Sequence, residues 1–273
     1  MKMIKFICLA MISATIVNLA AAQNKNGEQL TIPLSEPGKP YKLHVHLMNG
    51  PITVVVYDGK DIIMDAQAGE ENDKEEKESS NGMRRIPAGN SMDLTAEERN
   101  NTVTINSNSM MKLVKLSLKV PRGLTDLNLG SINNGTIEVT DATGDMEISS
   151  VTGSIKLTNV SGSVVANTIS GNVIVTFKSI DANAPMAFSA LSGNVDVTFP
   201  STFKADLKLK TDHGEMMTDF DIAINKAQPA TKRTGDGMTQ LKFDDWVRGK
   251  INGGGPEMMM KTMTGNIYIR KAK

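Results

Sequence analysis

The sequence predicts an all-β fold, a parallel β-solenoid (β-helix) with two repeat units per coil, and three observations carry that expectation. Glycine returns at Gly135, Gly144, Gly153, Gly162 and Gly171, nine residues apart each time. After each glycine the apolar residues fall mainly at the second and fourth positions, the period-two alternation of a strand with one buried face. Beyond Gly171 the interval lengthens to 22 at Gly193 and 21 at Gly214, and each long interval holds a second apolar strand, "PMAFSALSG" and "ADLKLKTDHG". Two nine-residue units come close to those intervals, hence two units per coil. Strands this short cannot bury a face alone, so the repeats must stack to build one core. The pattern leaves handedness and the number of faces open.

Taken in order, the chain starts with "MKMIKFICLAMISATIVNLAAAQ". Lys2 and Lys5, an apolar run from Phe6 to about Val17 and the small residues Ala20 and Ala22 read as a secretory signal peptide over 1–22. A lead-in follows over 23–40. One solenoid domain is expected over 41–273, with insertions at about 69–101 and 225–255. "YKLHVHLMNGPITVVVYD" is expected to open the columns, and "GPEMMMKTMTG" with the strand after Gly265 to close them. Ile137, Ile155, Val173, Val195 and Met216 should form one inward ladder, with Val139, Leu157, Val175 and Val197 as the next. Phe177, Phe199 and Phe220 should widen the core. On the outside Glu138 should face Lys156 one coil away, and Thr140, Thr158, Thr176 and Thr198 should form a column.

A glycine period of nine is also the period of calcium-binding β-rolls, which wrap each ion in G-G-x-G-x-D. Here a single glycine is followed in turn by Thr, Asp, Ser, Ser and Asn, so no carboxylate recurs. The glycine reads instead as a corner that needs positive φ. The V-S-G, I-S-G and L-S-G tripeptides fit an apolar corner residue followed by a turn.

The units "VTGSIKLT", "ISGNVIVT" and "LSGNVDVT", the preceding "LSLKVPRGLTDLNLGSINNG" and the ending "INGGGPEMMMKTMTGNIYIRK" resemble a family of bacterial exported β-strand-repeat domains of unknown function, catalogued as candidate adhesins. The resemblance covers roughly Tyr41–Lys273 apart from the insertions. It implies an exported β-helix and supplies no catalytic residue to carry over.

Composition limits the function. Setting aside Lys2 and Lys5 from the 30 basic residues leaves 28 against 30 acidic ones, a balance unsuited to nucleic acid, which needs a basic surface. The only cysteine, Cys8, lies in the signal segment, so the remainder has no disulfide, thiol nucleophile or cysteine-ligated metal. No later segment has the length and apolarity of a membrane span. No G-x-S-x-G or H-E-x-x-H motif occurs. No catalytic, cofactor or metal residue is assigned.

The candidate interaction residues are Trp246 with Asp244 and Asp245 in "LKFDDWVRG", and His44 and His46 in "KLHVHL". The two histidines share the outward face of a strand, a spacing compatible with two metal ligands, and Asp212–His213 is one conceivable third supplier. Asp219 and Asp221 alternate around Phe220, a paired-carboxylate pattern known from glycoside hydrolysis. The expected function is non-enzymatic: an exported cell-envelope protein, periplasmic or on the cell surface, whose rigid surface serves adhesion, scaffolding or interaction. Its partner would be envelope polysaccharide or another envelope protein. The alternatives are a polysaccharide-active β-helix enzyme and a ligand-binding envelope stress sensor. The irregular segments are the expected places for function.

Overall fold

The computed structural model describes residues 27–69, 93–181, 184–225, 230–233, 239–242 and 245–273. The signal segment and most of the first insertion lie outside them. Every regular element among the described residues is a strand, and most strand pairs are parallel. One 20-stranded sheet winds around a single core, with a separate hairpin of Ala230–Arg233 and Thr239–Lys242. The chain is thus all-β and solenoid-like.

Two ladders of strands face each other across the core. In the first, face A, Ile52–Tyr57, Ile137–Thr140, the start of Ile155–Ser170, Val173–Ile180 and Val195–Phe199 follow one another. In the second, face B, the order is Tyr41–Asn49, Leu124–Asn133, Thr143–Thr152, the end of Ile155–Ser170 and Met186–Ser192. Ile155 sits beside Ile137 and Gly162 beside Gly144. Alternation then fixes the core: Ile137, Ile155, Val173 and Val195 form one inward ladder and Val139, Leu157, Val175 and Val197 the next, all essentially inaccessible. Phe177 stacks on Phe199 at 5.3 Å between ring centroids, and Phe199 on Phe203 at 4.1 Å. Glu138 lies opposite Lys156, and Thr176 opposite Thr198, as the repeat predicts.

The order of coils at both ends differs from expectation. Tyr41–Asn49 and Ile52–Tyr57 do not open the stack. They lie between Thr102–Ser107 and Leu124–Asn133 on face B, and between Val114–Pro121 and Ile137–Thr140 on face A. Likewise Glu257–Thr264 and Ile267–Lys271 do not close it. They slot between Met186–Ser192 and Ala205–His213, and between Val195–Phe199 and Met216–Thr218. Val195 therefore neighbours Ile267, and Met216 lies one strand further out. The physical reason is apolarity. Met258, Met260, Ile267 and Ile269 are buried in the inner position, whereas "HGEMMTD" is polar, short and largely exposed, which suits a terminal strand.

Antiparallel strands finish the ends. Leu94–Arg99 covers Thr102–Ser107, and Ile62–Ala68 covers Val114–Pro121, with Gly27–Ile32 of the lead-in outside it. At the far end Val247–Ile251 covers Ala205–His213, and Ile222–Asn225 lies outside that. Both interruptions of the repeat thus contribute edge strands that break the parallel template, a guard against edge-to-edge pairing.

The corner glycines are dictated by contact as well as by φ. Gly153, Gly171, Gly193 and Gly265 have φ of +155°, +148°, +145° and +142°. A Cβ on Gly171 would lie 2.4 Å from the carbonyl oxygen of Gly153, and one on Gly193 1.9 Å from that of Gly171. Backbone packs on backbone with no room for a methyl group.

Buried hydroxyls support the same corner. Ser131, Ser150, Thr168 and Thr262 donate to the carbonyls of Gly50, Gly135, Gly153 and Gly193 at 2.8–2.9 Å, and the half-buried Thr211 donates to that of Gly265 at 2.9 Å. Ala190 interrupts the series, because it stands in register between Thr168 and Thr262. Beside the glycines, Asn172 and Asn194 each accept the next coil's Asn N–H through Oδ1, at 2.8 and 2.7 Å, and Asn266 accepts the N–H of Glu215 at 2.9 Å.

Two outcomes follow in denaturant titrations. Gly171→Ala should cost roughly 3 kcal/mol or more, combining strain with a backbone clash. Gly253→Ala, at φ +91° in open space, should cost only about 1–2 kcal/mol. Equal losses would show that φ alone sets the requirement. Ala190→Ser supplies the missing hydroxyl to Gly171 and should add about 0.5–1.5 kcal/mol; a destabilised variant would show that this corner has no room for the bond.

Candidate functional site

Face A is solvated and charged on its outer side. Arg270 donates two hydrogen bonds to Asp196, at 2.7 and 2.9 Å, and Glu138 stands in register beside Lys156. Face B is different. The outward residues just before the corner line up across successive coils as Met48, Ile132, Val151, Ile169, Leu191 and Met263. Ile132, Ile169, Leu191 and Met263 are 39–50 % exposed, and Met48 and Val151 are half-buried. With strands about 4.8 Å apart, this apolar stripe runs about 24 Å along the stack.

Beside the stripe runs a row of neutral residues: Asn106, His46, Gly130, Ser149, Asn167 and Ser189. The next row holds His44, Asn128, Glu147, Val165 and Ala187. From Tyr41–Asn49 to Met186–Ser192 Glu147 is the one carboxylate in these three rows, with no lysine or arginine; beside Met263, at the end of the stripe, the neutral row gives way to Lys261. Charge depletion with exposed apolar side chains is the signature of an interface centre.

At the His46 end the rows enclose a shallow groove of about 260 Å³, lined by His46, Asn106, Ser107, Gly130, Ile132 and Ser149 among others. Gly130 has a local reason. A Cβ there would fall 2.7 Å from Nδ1 of His46, so its absence lets the imidazole lie across the strand. Partial burial of His46 holds its pKa below the ordinary histidine value, with the neighbouring His44 adding to the effect and Glu147 opposing it. Ser107 is buried at the groove, and its Oγ has no hydrogen-bond partner among the described residues.

The sequence-predicted residues scatter. His44 and His46 share the outward face, as the alternation requires, and Nε2 of His44 is 3.5 Å from Asp126. Asp212–His213 lies on Ala205–His213, six strands from Tyr41–Asn49 on face B and so about 29 Å away. It cannot complete a site with them. Among the described residues no group of three or more His, Cys, Asp or Glu could hold a metal ion. Trp246 is half-buried at the capped end, with the Lys208 ammonium 4.8 Å from its ring centroid, and Asp245 pairs with Lys210 at 3.6 Å. Asp244 lies outside the described residues. Asp219 accepts the backbone N–H of Lys271 at 3.4 Å, and Asp221 is exposed. These residues do not converge with the histidines.

The stripe itself escaped the sequence reading, although its signal was present. Ile169 and Leu191 are the apolar residues of I-S-G and L-S-G and point outward, while Val160 of V-S-G is buried at the opposite corner.

Residues 133–243 match the family model Toastrack DUF4097. The resemblance to the strand-repeat family of unknown function therefore holds. The Toastrack match includes Ile169 and Leu191 of the stripe and leaves the inserted coils 41–57 and 257–271 outside. No curated protein matches the chain. Among solved structures, a candidate cell adhesion protein from Clostridium sporogenes is similar at 11 % identity, covering 90 % of this chain and 100 % of that one, with a TM-score of 0.43. A candidate adhesin from Bacteroides fragilis is similar at 9 % identity over 91 % and 98 %, with a TM-score of 0.30. A candidate lipid binding protein from Parabacteroides distasonis is similar at 14 % identity over 92 % and 98 %, with a TM-score of 0.30. Among the described residues no helix is long and apolar enough to cross a membrane, a finding that leaves strand-built spans aside.

The lowered pKa of His46 has a signed consequence. The unfolded chain takes up this proton first, so stability present above about pH 6.5 is lost as pH falls through the lower folded-state value. Urea midpoints measured from about pH 7 to pH 5 should fall less steeply in His46→Gln than in the parent. Identical slopes would show that the imidazole is as well solvated folded as unfolded.

Proposed function

We propose that this chain is an exported cell-envelope protein that works without catalysis, as a rigid β-solenoid surface for adhesion, scaffolding or interaction. Each coil, in this reading, consists of two nine-residue units, one for each face. The observation that supports it is the asymmetry of the faces. Face A carries the Arg270–Asp196 ion pair, Glu138 beside Lys156 and a threonine column, with Val55 and Ile174 exposed singly among them. Face B carries an uncharged stripe of apolar side chains, mounted on a hydrogen-bonded ladder that holds them at a fixed spacing. A surface of that kind loses little conformational freedom on binding, which favours association at modest area. The apolar stripe favours a protein partner over a polysaccharide, whose hydroxyls need polar groups in its place.

The reading is tested in the native cell envelope with a photo-crosslinking side chain at one position at a time. Position 191 on face B should yield adducts, and position 156 on face A should yield about tenfold fewer. No adduct from position 191, or equal yields from both, would remove face B as the working surface.

A further inference from the structure

We infer that face B is the interface of a two-fold dimer, in which a second copy of this chain lies sheet to sheet across the apolar stripe. This rests on the reading above that face B is the working surface, and it names the partner.

Four observations carry it. The first is area. Six strands at about 4.8 Å spacing and three outward rows, about six residues at about 3.3 Å rise, make a plane of about 570 Å²; the accessible surface of projecting side chains exceeds the plane beneath them, which brings it toward the roughly 800 Å² that each partner contributes to a stable interface.

The second is charge. A two-fold axis lays a surface on itself, so any charge near the axis meets its own kind. The three central rows of face B largely avoid this: on the six strands of the stripe they hold one carboxylate, Glu147, and one ammonium, Lys261, which stands at the outermost of the six strands, away from the axis.

The third is register. With the axis along the strands, between Val151 and Ile169, the stripe falls on the stripe in reverse order. Met48 then meets Met263 of the partner subunit, Ile132 meets Leu191 of the partner subunit, and Val151 meets Ile169 of the partner subunit. Each Glu147 falls opposite Val165 of the partner subunit. Sheets stacked this way sit about 10 Å apart with interleaved side chains.

The fourth is the closure of other routes. Antiparallel strands cap both ends of face B, so copies cannot extend the parallel stack there by strand addition.

The experiment uses the chain as processed and purified from its own cells, which contains no cysteine after Cys8. Sedimentation equilibrium should give a dimer for the parent. Ile169→Lys with Leu191→Lys should raise the dissociation constant at least about a hundredfold while leaving thermal unfolding close to that of the monomer. Ser189→Lys, on the neighbouring polar row, should weaken the dimer in the same direction and serves if the double variant does not fold. For register, Ile132→Cys and Leu191→Cys chains mixed and oxidised should form a disulfide between unlike chains, while Ile132→Cys alone should not. A monomeric parent, a dimer indifferent to the lysines, or cross-linking of Ile132→Cys with itself would each overturn the proposal. A monomeric parent that still gives position-191 adducts to another protein would end the dimer and leave the working face intact. Loss of those adducts altogether would end the broader reading.

Discussion

The rest of this structure depends on the approach of one corner to the next. At Gly153, Gly171, Gly193 and Gly265 the backbone of each coil lies so near the carbonyl of its neighbour that a Cβ would overlap it. That closeness brings the strands on both sides of the corner into hydrogen-bonding distance, and the two inward ladders follow from it. The buried hydroxyls then occupy a second position in the same corner. Each satisfies a glycine carbonyl that would otherwise face an apolar interior, where an unpaired acceptor is costly. The asparagine ladder does the same for the amide groups on the outer edge. Glycine, hydroxyl and amide act as one device, repeated along the stack. The carboxylates of an ion-binding roll have no part in it.

This explains which parts of the fold could be read from the residues. The nine-residue period and the two longer intervals specify which residues share a ladder, because a shift of one residue would turn Ile155 and Leu157 outward. Their burial is therefore legible from alternation alone. The order of coils is not. Ile267 and Met216 both sit second after a glycine and both carry a suitable side chain, so either could neighbour Val195. What decides between them is the quality of the whole strand: "GNIYIR" buries Ile267 and Ile269, while "GEMMTD" leaves Met216 half-buried and puts an exposed Thr218 in the place of Ile269. The same holds at the other end, where Tyr41–Asn49 takes an inner place because Thr102–Ser107, capped by an antiparallel hairpin partner, can serve as the edge. A repeat says what can stack on what; completeness of burial says in which order.

The two inserted coils also tie the chain together. The first coil in sequence and the last are each held on both sides by coils that come later or earlier in the chain. Neither of these coils can peel away without opening two ladders on each face, although the lead-in strand Gly27–Ile32 is held on one side only. A simple solenoid frays from its terminal repeats, since each touches one neighbour. Here the terminal positions are occupied instead by internal segments, 102–121 and 205–218, that remain anchored by chain on both sides. Such a stack favours cooperative unfolding over stepwise loss of coils.

The candidate site was less legible than the fold for a related reason. Period two separates inside from outside, but it does not rank one outside against the other. The lone tryptophan and the paired histidines attract attention because they break the pattern, and they lie apart: Trp246 under Lys208 at one capped end, His44 and His46 six strands away. The stripe obeys the pattern and so looks like corner packing. What sets it apart is that Ile169 and Leu191 are exposed although the corner offered them a neutral polar alternative, taken two positions earlier by Asn167 and Ser189. Exposed aliphatic surface costs about 25 cal/mol per Å² relative to burial, and the cost recurs on successive coils at the same register. A corner that only had to turn could hold threonine there, as face A does at Thr140, Thr158, Thr176 and Thr198. Face A also exposes Val55, Ile174 and Met217, but singly, between polar or aromatic neighbours; repetition of the costly choice at one register on face B is the reason the proposed function is placed on the regular surface and not in the segments that interrupt it.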